Sequence, residues 1–241
     1  MHSAILIGII VLVCVSALGI IVYGSARIQS GIFVKAICHL PKTKEGSEFA
    51  STADKRCEYG STSGILLTFD DGPDPDITPR VLDVLDRYGV HAIFFVIGSK
   101  AKAHPELLQQ IVSRGHTVGN HSFNHSPYAN FLGARHLEGE IRACDEAIHA
   151  ALGPNYPIVY FRPPLGITTH YMQRVLSRTG HVVMGWSVRS LDTLDEPRSK
   201  VLSRIEKHLE TGSIVLLHDR LEGADWLADQ TLSLAKRRGY I

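Results

Sequence analysis

The stretch Ile65-Leu66-Leu67-Thr68-Phe69-Asp70-Asp71-Gly72-Pro73 opens as an apolar run and ends in two adjacent carboxylates and a Gly-Pro break. A short continuous run of this kind fits a strand buried on both faces. The acidic pair then stands where the strand ends. Neighbouring carboxylates repel, which is costly unless a cation compensates or one of them is protonated.

The same form recurs along the chain, with apolar runs at 92–97, 116–119, 158–161, 181–184 and 213–217. Between them lie amphipathic stretches with readable ends. Thr78-Pro79 opens one that stops at Gly89, and Pro105 opens one that stops at Gly115. Thr169 is expected to cap a third that ends at Gly180, and Pro197 opens a fourth closed by Gly212. Pro or Thr at the start and Gly just past the end is the asymmetry of real helix termini. Residues 137–152 and 226–238 are also helical by spacing. Strand, helix, Gly, strand in repetition predicts a parallel α/β fold.

Composition limits the function classes. The 241 residues carry Lys+Arg 25 against Asp+Glu 24, a formal net charge of +1. Nucleic-acid binding needs a clustered basic excess that this chain lacks, so no nucleic-acid partner is expected. With 44% hydrophobic residues and 20% charged, the chain is not disordered. Four Cys are too few for a disulfide scaffold, although Cys38 and Cys57 fit a pair in an oxidising compartment. Histidine stands out at 13 residues.

Residues 4–26 contain no Asp, Glu, Lys or Arg. As a helix they extend roughly 35 Å, enough for a bilayer core of about 30 Å. No Lys or Arg precedes them, and the apolar stretch is long for a signal peptide, so an uncleaved single-pass anchor is expected. Cys14 is then a membrane residue. The polar segment 27–63 reads as a linker, and 64–241 as the remaining domain. Arg27, Lys35, Lys42 and Lys44 all follow the helix, which by charge alone favours a cytoplasmic domain.

The residues just beyond each apolar run point to one centre. Asp70 and Asp71 follow the first, His121 and His125 the third, Arg162 the fourth and His218 the last, while Asp192 lies shortly after the fifth. Several strands delivering ionisable groups to one end suit a barrel better than a single crevice in an open sheet. Two His and one Asp can ligate one metal and leave positions open for water or substrate. A spare carboxylate, an Arg to hold it and a further His complete the inventory of a metal-assisted hydrolase.

As a set, these motifs resemble the NodB-type polysaccharide deacetylases. The match runs from Ile65 to the C-terminus. It rests on Thr68-Phe69-Asp70-Asp71-Gly72, His121-Ser122-Phe123-Asn124-His125, Arg162-Pro163-Pro164-Leu165-Gly166, Trp186-Ser187-Val188-Arg189-Ser190-Leu191-Asp192 and Leu216-Leu217-His218. The resemblance implies a distorted (β/α) barrel of about seven repeats and removal of acetyl groups, N-acetyl foremost, from a glycan. It implies that Asp71, His121 and His125 bind one divalent metal, commonly zinc. Asp70 would be the general base on a metal-bound water, with Arg162 holding it, and His218 the acid, oriented by Asp192. The Leu165 N–H would stabilise the oxyanion, and Leu216 would line the acetyl pocket.

This chain departs from the family pattern in three places. Leu165 stands where Tyr is frequent, Arg189 where the fourth motif has its first Asp, and Thr193 where it has Trp. The wall of the acyl pocket therefore differs, and Trp186 is expected mainly as core. A glycan-facing activity places the domain outside the cytoplasm. Two rivals are an inactive glycan-binding relative and a metallohydrolase of another ester class. Of the 13 His, only His121, His125 and His218 carry the proposed chemistry; His170 is a candidate substrate contact, and His91, His116 and His181 belong to the opposite, structural face.

Overall fold

The computed structural model describes residues 2–40 and 64–241. Most of the expected linker, with Cys57, lies outside them. The apolar runs form the parallel strands β2 (Leu66–Gly72), β3 (Ile93–Val96), β4 (Thr117–Asn120), β5 (Tyr160–Phe161), β6 (Val182–Met184) and β8 (Ile214–His218). Two strands were not expected from sequence, β1 (Ala36–Ile37) and β7 (Val188–Arg189). The sheet order is β1-β6-β5-β4-β3-β2-β8-β7.

The ladder curls into a half-barrel. Strands β6 and β7 lie toward opposite edges of the sheet, yet only Gly185, Trp186 and Ser187 separate them in sequence. Such a connection reaches at most about 14 Å, so the two edges must approach. They do: Gly185 donates to the Ile37 carbonyl on one edge, and Ser187 donates to the Ile214 carbonyl on the other. An antiparallel bridge between His39 and Ser213 ties the end of β1 to the start of β8. The eight-stranded parallel sheet agrees with the expected distorted barrel, although β6 and β7 follow one another without a helix between them.

Around it pack α2 (Ile77–Tyr88), α3 (Gly98–Ala103), α4 (Pro105–Ser113), α5 (Ala134–Leu152), α6 (Met172–Thr179), α7 (Arg198–His208) and α8 (Ala224–Arg237). Alternation along the strands divides the core. Leu67, Phe69, Phe94, Val96, Val215 and Leu217 face one apolar cluster with α2 and α8, whereas Leu66, Ile93, Phe95, Ile214 and Leu216 face the other. Gly89 and Gly180 end α2 and α6 in the left-handed conformation, as their positions predict. Thr169 does not cap α6: that helix starts at Met172, and the Thr169 hydroxyl is buried without a partner. Thr78 likewise turns from its helix start and donates to Asp219 at 2.6 Å.

The N-terminal helix α1 (His2–Ala26) contains the apolar span Ile9–Ala26, whose side chains are almost wholly exposed. The residues after it are not a free linker. Ile28 and Val34 are buried in the second apolar cluster, beside Met184 and Trp186. No helix separates β6 from β7, and this segment covers the gap.

Candidate active site

Two neighbours on a regular strand point to opposite faces, so Asp70 and Asp71 should not both reach one site. A bulge resolves this. The β2–β3 register shifts between Asp70 and Gly72, and Asp71 adopts φ 71°. The extra residue re-aims its side chain. Lys100 of α3 fixes the bulge by donating to the Asp71 carbonyl at 2.8 Å.

His121 and His125 converge through a tight turn rather than along a helix. Ser122 and His125 both have positive φ, at 64° and 51°. The Ser122 hydroxyl accepts from the His125 N–H at 3.1 Å, and Glu140 accepts from Asn124 at 2.8 Å. Leu165 and Leu191 are the remaining non-glycine residues with positive φ among the described residues, and both line the same cavity. Strained backbone thus collects around one centre, as it does where geometry serves chemistry.

The cavity, about 190 Å³, is lined by Asp70, Asp71, His121, His125, Leu165, Trp186, Arg189, Thr193, Leu216, His218 and Arg220, among others. Every sequence-predicted site residue except His170 either lines it or supports one that does. Arg162 is fully buried beneath, donating to Asp70 at 2.7 Å, to the Thr68 hydroxyl at 2.8 Å, and to the Met184 and Gly185 carbonyls. Its guanidinium also stacks 4.1 Å from the Phe95 ring centre. Asp192 accepts from His218 Nδ1 at 2.8 Å and from the His218 N–H at 3.0 Å, and Ser190 Oγ holds the same carboxylate. Trp186 is buried yet lines the cavity, so it is both core and wall. His170 does not line this cavity.

The donor set fits a metal ion. His121 Nδ1 sits 2.7 Å from the Arg162 carbonyl, a partner that takes the Nδ1 proton and leaves the Nε2 lone pair for the site. Asp71 Oδ1 is buried with no hydrogen-bond partner. It lies 3.4 Å from His121 Nε2 and 3.2 Å from His125 Nε2. Tetrahedral ligands at zinc bond lengths of about 2.0–2.1 Å sit about 3.3 Å from one another. Burial, with the charge of His121, lowers the His125 pKa to about 4, so its nitrogen is neutral and free to ligate at neutral pH. Burial would raise the Asp71 pKa, but the adjacent His121 imidazole and the bond from Arg220 outweigh it and hold the carboxyl ionised.

Burial also opposes a charged His218. The hydrogen bond and charge of Asp192, with Asp70 and Asp71 nearby, overcome it and raise the His218 pKa above the usual imidazole value. The His218 ring therefore holds its second proton more tightly than a free imidazole does.

Sequence reading missed Arg220, whose Nε donates to Asp71 Oδ2 at 2.7 Å. Its place two residues after His218, beyond the same strand end, was the available signal. It also missed Asp219, buried on the other side of Gly72. Burial raises the Asp219 pKa to about 7. The folded chain thus keeps a proton that the unfolded chain releases from about pH 4 upward. Stability falls as pH rises through that window and is lowest above about pH 7. Asp219→Asn removes this titration, and its stability gain over the parent should grow by on the order of 2–4 kcal/mol between pH 4 and pH 8. Thermal melts at both pH values read the difference; a gain independent of pH would refute the buried proton.

Paired carboxylates and imidazoles at the C-terminal ends of parallel barrel strands, in a geometry that fits one metal ion, form a centre suited to hydrolysis. The comparisons name the family: the polysaccharide deacetylase model matches residues 59–184, and the chain belongs to that family. It is 37% identical over 155 residues to a chitooligosaccharide deacetylase of Sinorhizobium fredii, covering 64% of this chain and 71% of that one. It is 30% identical over 215 residues to the peptidoglycan-N-acetylmuramic acid deacetylase PdaA of Bacillus subtilis, covering 86% and 81%. A family 4 carbohydrate esterase from Streptomyces lividans, solved in complex with acetate, superposes with a TM-score of 0.67 at 28% identity, over 74% of this chain and 91% of that one.

Proposed function

We propose that this chain hydrolyses the acetamide of an N-acetylated glycan, with one divalent metal, zinc foremost, held by Asp71, His121 and His125. Residues 64–241 carry the catalytic groups in this reading, with Ile28 and Val34 of the preceding segment packed against them, and residues 4–26 anchor the domain outside the cytoplasm. One observation carries the proposal: the two adjacent carboxylates have different partners. Asp71 aims an unpartnered oxygen between two imidazole nitrogens, while Asp70 is held by the buried Arg162.

When bound, the ion supplies charge that stabilises the oxyanion and lowers the proton affinity of water. The side chains do the rest. The water oxygen adds to the acetamide carbonyl carbon while its proton passes to Asp70. The Leu165 N–H faces the developing oxyanion, where a positioned donor acts most strongly. His218 Nε2 then gives its proton to the amine nitrogen as the C–N bond breaks, and Asp192 balances the charge on the ring. Acetate and a free amine leave. Leu216 and Trp186 form the wall beside the acetyl methyl, in a pocket that Thr193 leaves wider than a Trp would.

An inactive glycan binder has no need of a spare carboxylate and a carboxylate-bound imidazole beside the ligand set. The decisive test is acetate release from N-acetylated and O-acetylated oligosaccharides by metal-loaded protein, with and without chelator. Release from the N-acetylated substrate, abolished by chelator and by His125→Ala with loss of bound metal, supports the reading. Normal metal content in His125→Ala refutes the ligand set. Release only from O-acetylated substrate favours the ester rival, and metal binding without release favours the inactive one.

A further inference from the structure

The end of α1 is bonded to the loop that lines the active site. Thr168 Oγ1 donates to the Gly24 carbonyl at 2.8 Å, and the Thr168 N–H to the Ser25 carbonyl at 3.1 Å. Gln29 Nε2 donates to the Trp186 carbonyl at 3.0 Å. Thr168 lies three residues from Leu165 on the cavity wall, a span of at most about 11 Å. The cavity is therefore fixed close to the end of the apolar helix.

The same loops carry unpartnered apolar side chains. After His125 the chain runs through Tyr128, Phe131 and Leu132, each more than half exposed. Asn130 staples this loop to the active-site loop through the Pro164 carbonyl, and the Tyr171 hydroxyl donates to the Asn130 carbonyl. Leu165 itself is half exposed. On the α1 side, Ile32 is exposed and packs within reach of Gly24. Tyr23 and Arg27 stack at the helix end, with Lys35 exposed nearby. Aromatic and basic residues around the end of an apolar span are the composition of a membrane–water boundary, and exposed apolar side chains grouped on one loop mark an interaction surface.

We infer that this face, with the active-site mouth, rests on the lipid bilayer, Phe131, Leu132, Tyr128 and Ile32 entering the headgroup region beside the end of α1. The inference rests on α1 being a membrane span. Continuity with α1 selects lipid as the occupant over a soluble partner or a second copy. The mouth then opens beside the lipid, and the substrate is a glycan held at that surface rather than one free in solution.

The test uses the full chain in vesicles of phosphatidylcholine and phosphatidylglycerol containing lipids brominated near the headgroup. Phe131→Trp should add emission of which about half or more is quenched, since interfacial groups enter about 5–10 Å. Asn155→Trp, exposed before β5 at the opposite end of the barrel, should add emission that is not quenched. Equal quenching at both positions, or none at 131, overturns the inference, as does recovery of mature protein from cells lacking α1. Unquenched 131 with concentration-dependent dimerisation assigns the patch to a second copy instead. Phe131→Ser with Leu132→Ser should leave acetate release from a soluble oligosaccharide unchanged and lower release from a lipid-linked one about tenfold. Equal effects on both substrates overturn the inference. Absence of release from either refutes the proposed activity, while quenching still reads the docking.

Discussion

Asp70→Asn is expected to bind metal like the parent chain and to release acetate about 10³-fold more slowly, within the 10²–10⁴ that a positioned base contributes. The substitution keeps the shape of the side chain and an oxygen that accepts from Arg162 Nη1, now 2.7 Å from Asp70 Oδ1. It removes the capacity to take a proton from water. Asp71, His121 and His125 keep their mutual geometry, because the bulge and the Ser122 turn that set it do not involve the Asp70 carboxylate. Metal content by atomic absorption and kcat by acetate assay check the two halves separately. Full turnover with bound metal would move the base to another residue.

Arg162→Met should have the largest effect on stability. The guanidinium is fully buried and satisfies Asp70, Thr68 and two backbone carbonyls at once. Removing it leaves a carboxylate that is 4% exposed without a countercharge. Breaking a buried pair in this way costs about 3–5 kcal/mol, which for a domain of this size lowers Tm by roughly 6–20 °C. Much of that loss belongs to the stranded Asp70 charge. The double variant Arg162→Met with Asp70→Asn should therefore be more stable than Arg162→Met alone, a departure from additivity that melts of the four chains measure. Additive losses would mean that Arg162 acts through packing on Phe95 instead.

Much of the site is legible in the sequence because its residues follow apolar runs, and a parallel barrel collects strand ends at one face. What is not legible depends on how distant parts meet. β7 is two residues long and exists because the sheet edge at β8 receives it. β1 lies in an apolar stretch, Ile32 to Cys38, that reads as part of the linker, and it becomes a strand only by pairing with β6. The HxxxH spacing suits a helix as well as a turn, and only the positive φ values at Ser122 and His125 decide between them. Arg220 reaches Asp71 because the bulge turns that carboxylate toward it, a contact that no spacing rule anticipates.

The three residues between β6 and β7 bear on how the molecule can be divided. Because no helix seals that side of the barrel, Ile28 and Val34 serve as its lid, seated against Met184 and Trp186 beneath the catalytic floor. The functional unit therefore begins before the sheet's first long strand. Trimming the chain at Gly64 would excise part of the packing behind Met184 and Gly185, whose carbonyls hold Arg162, whereas trimming at Arg27 would remove the apolar helix and leave that packing in place.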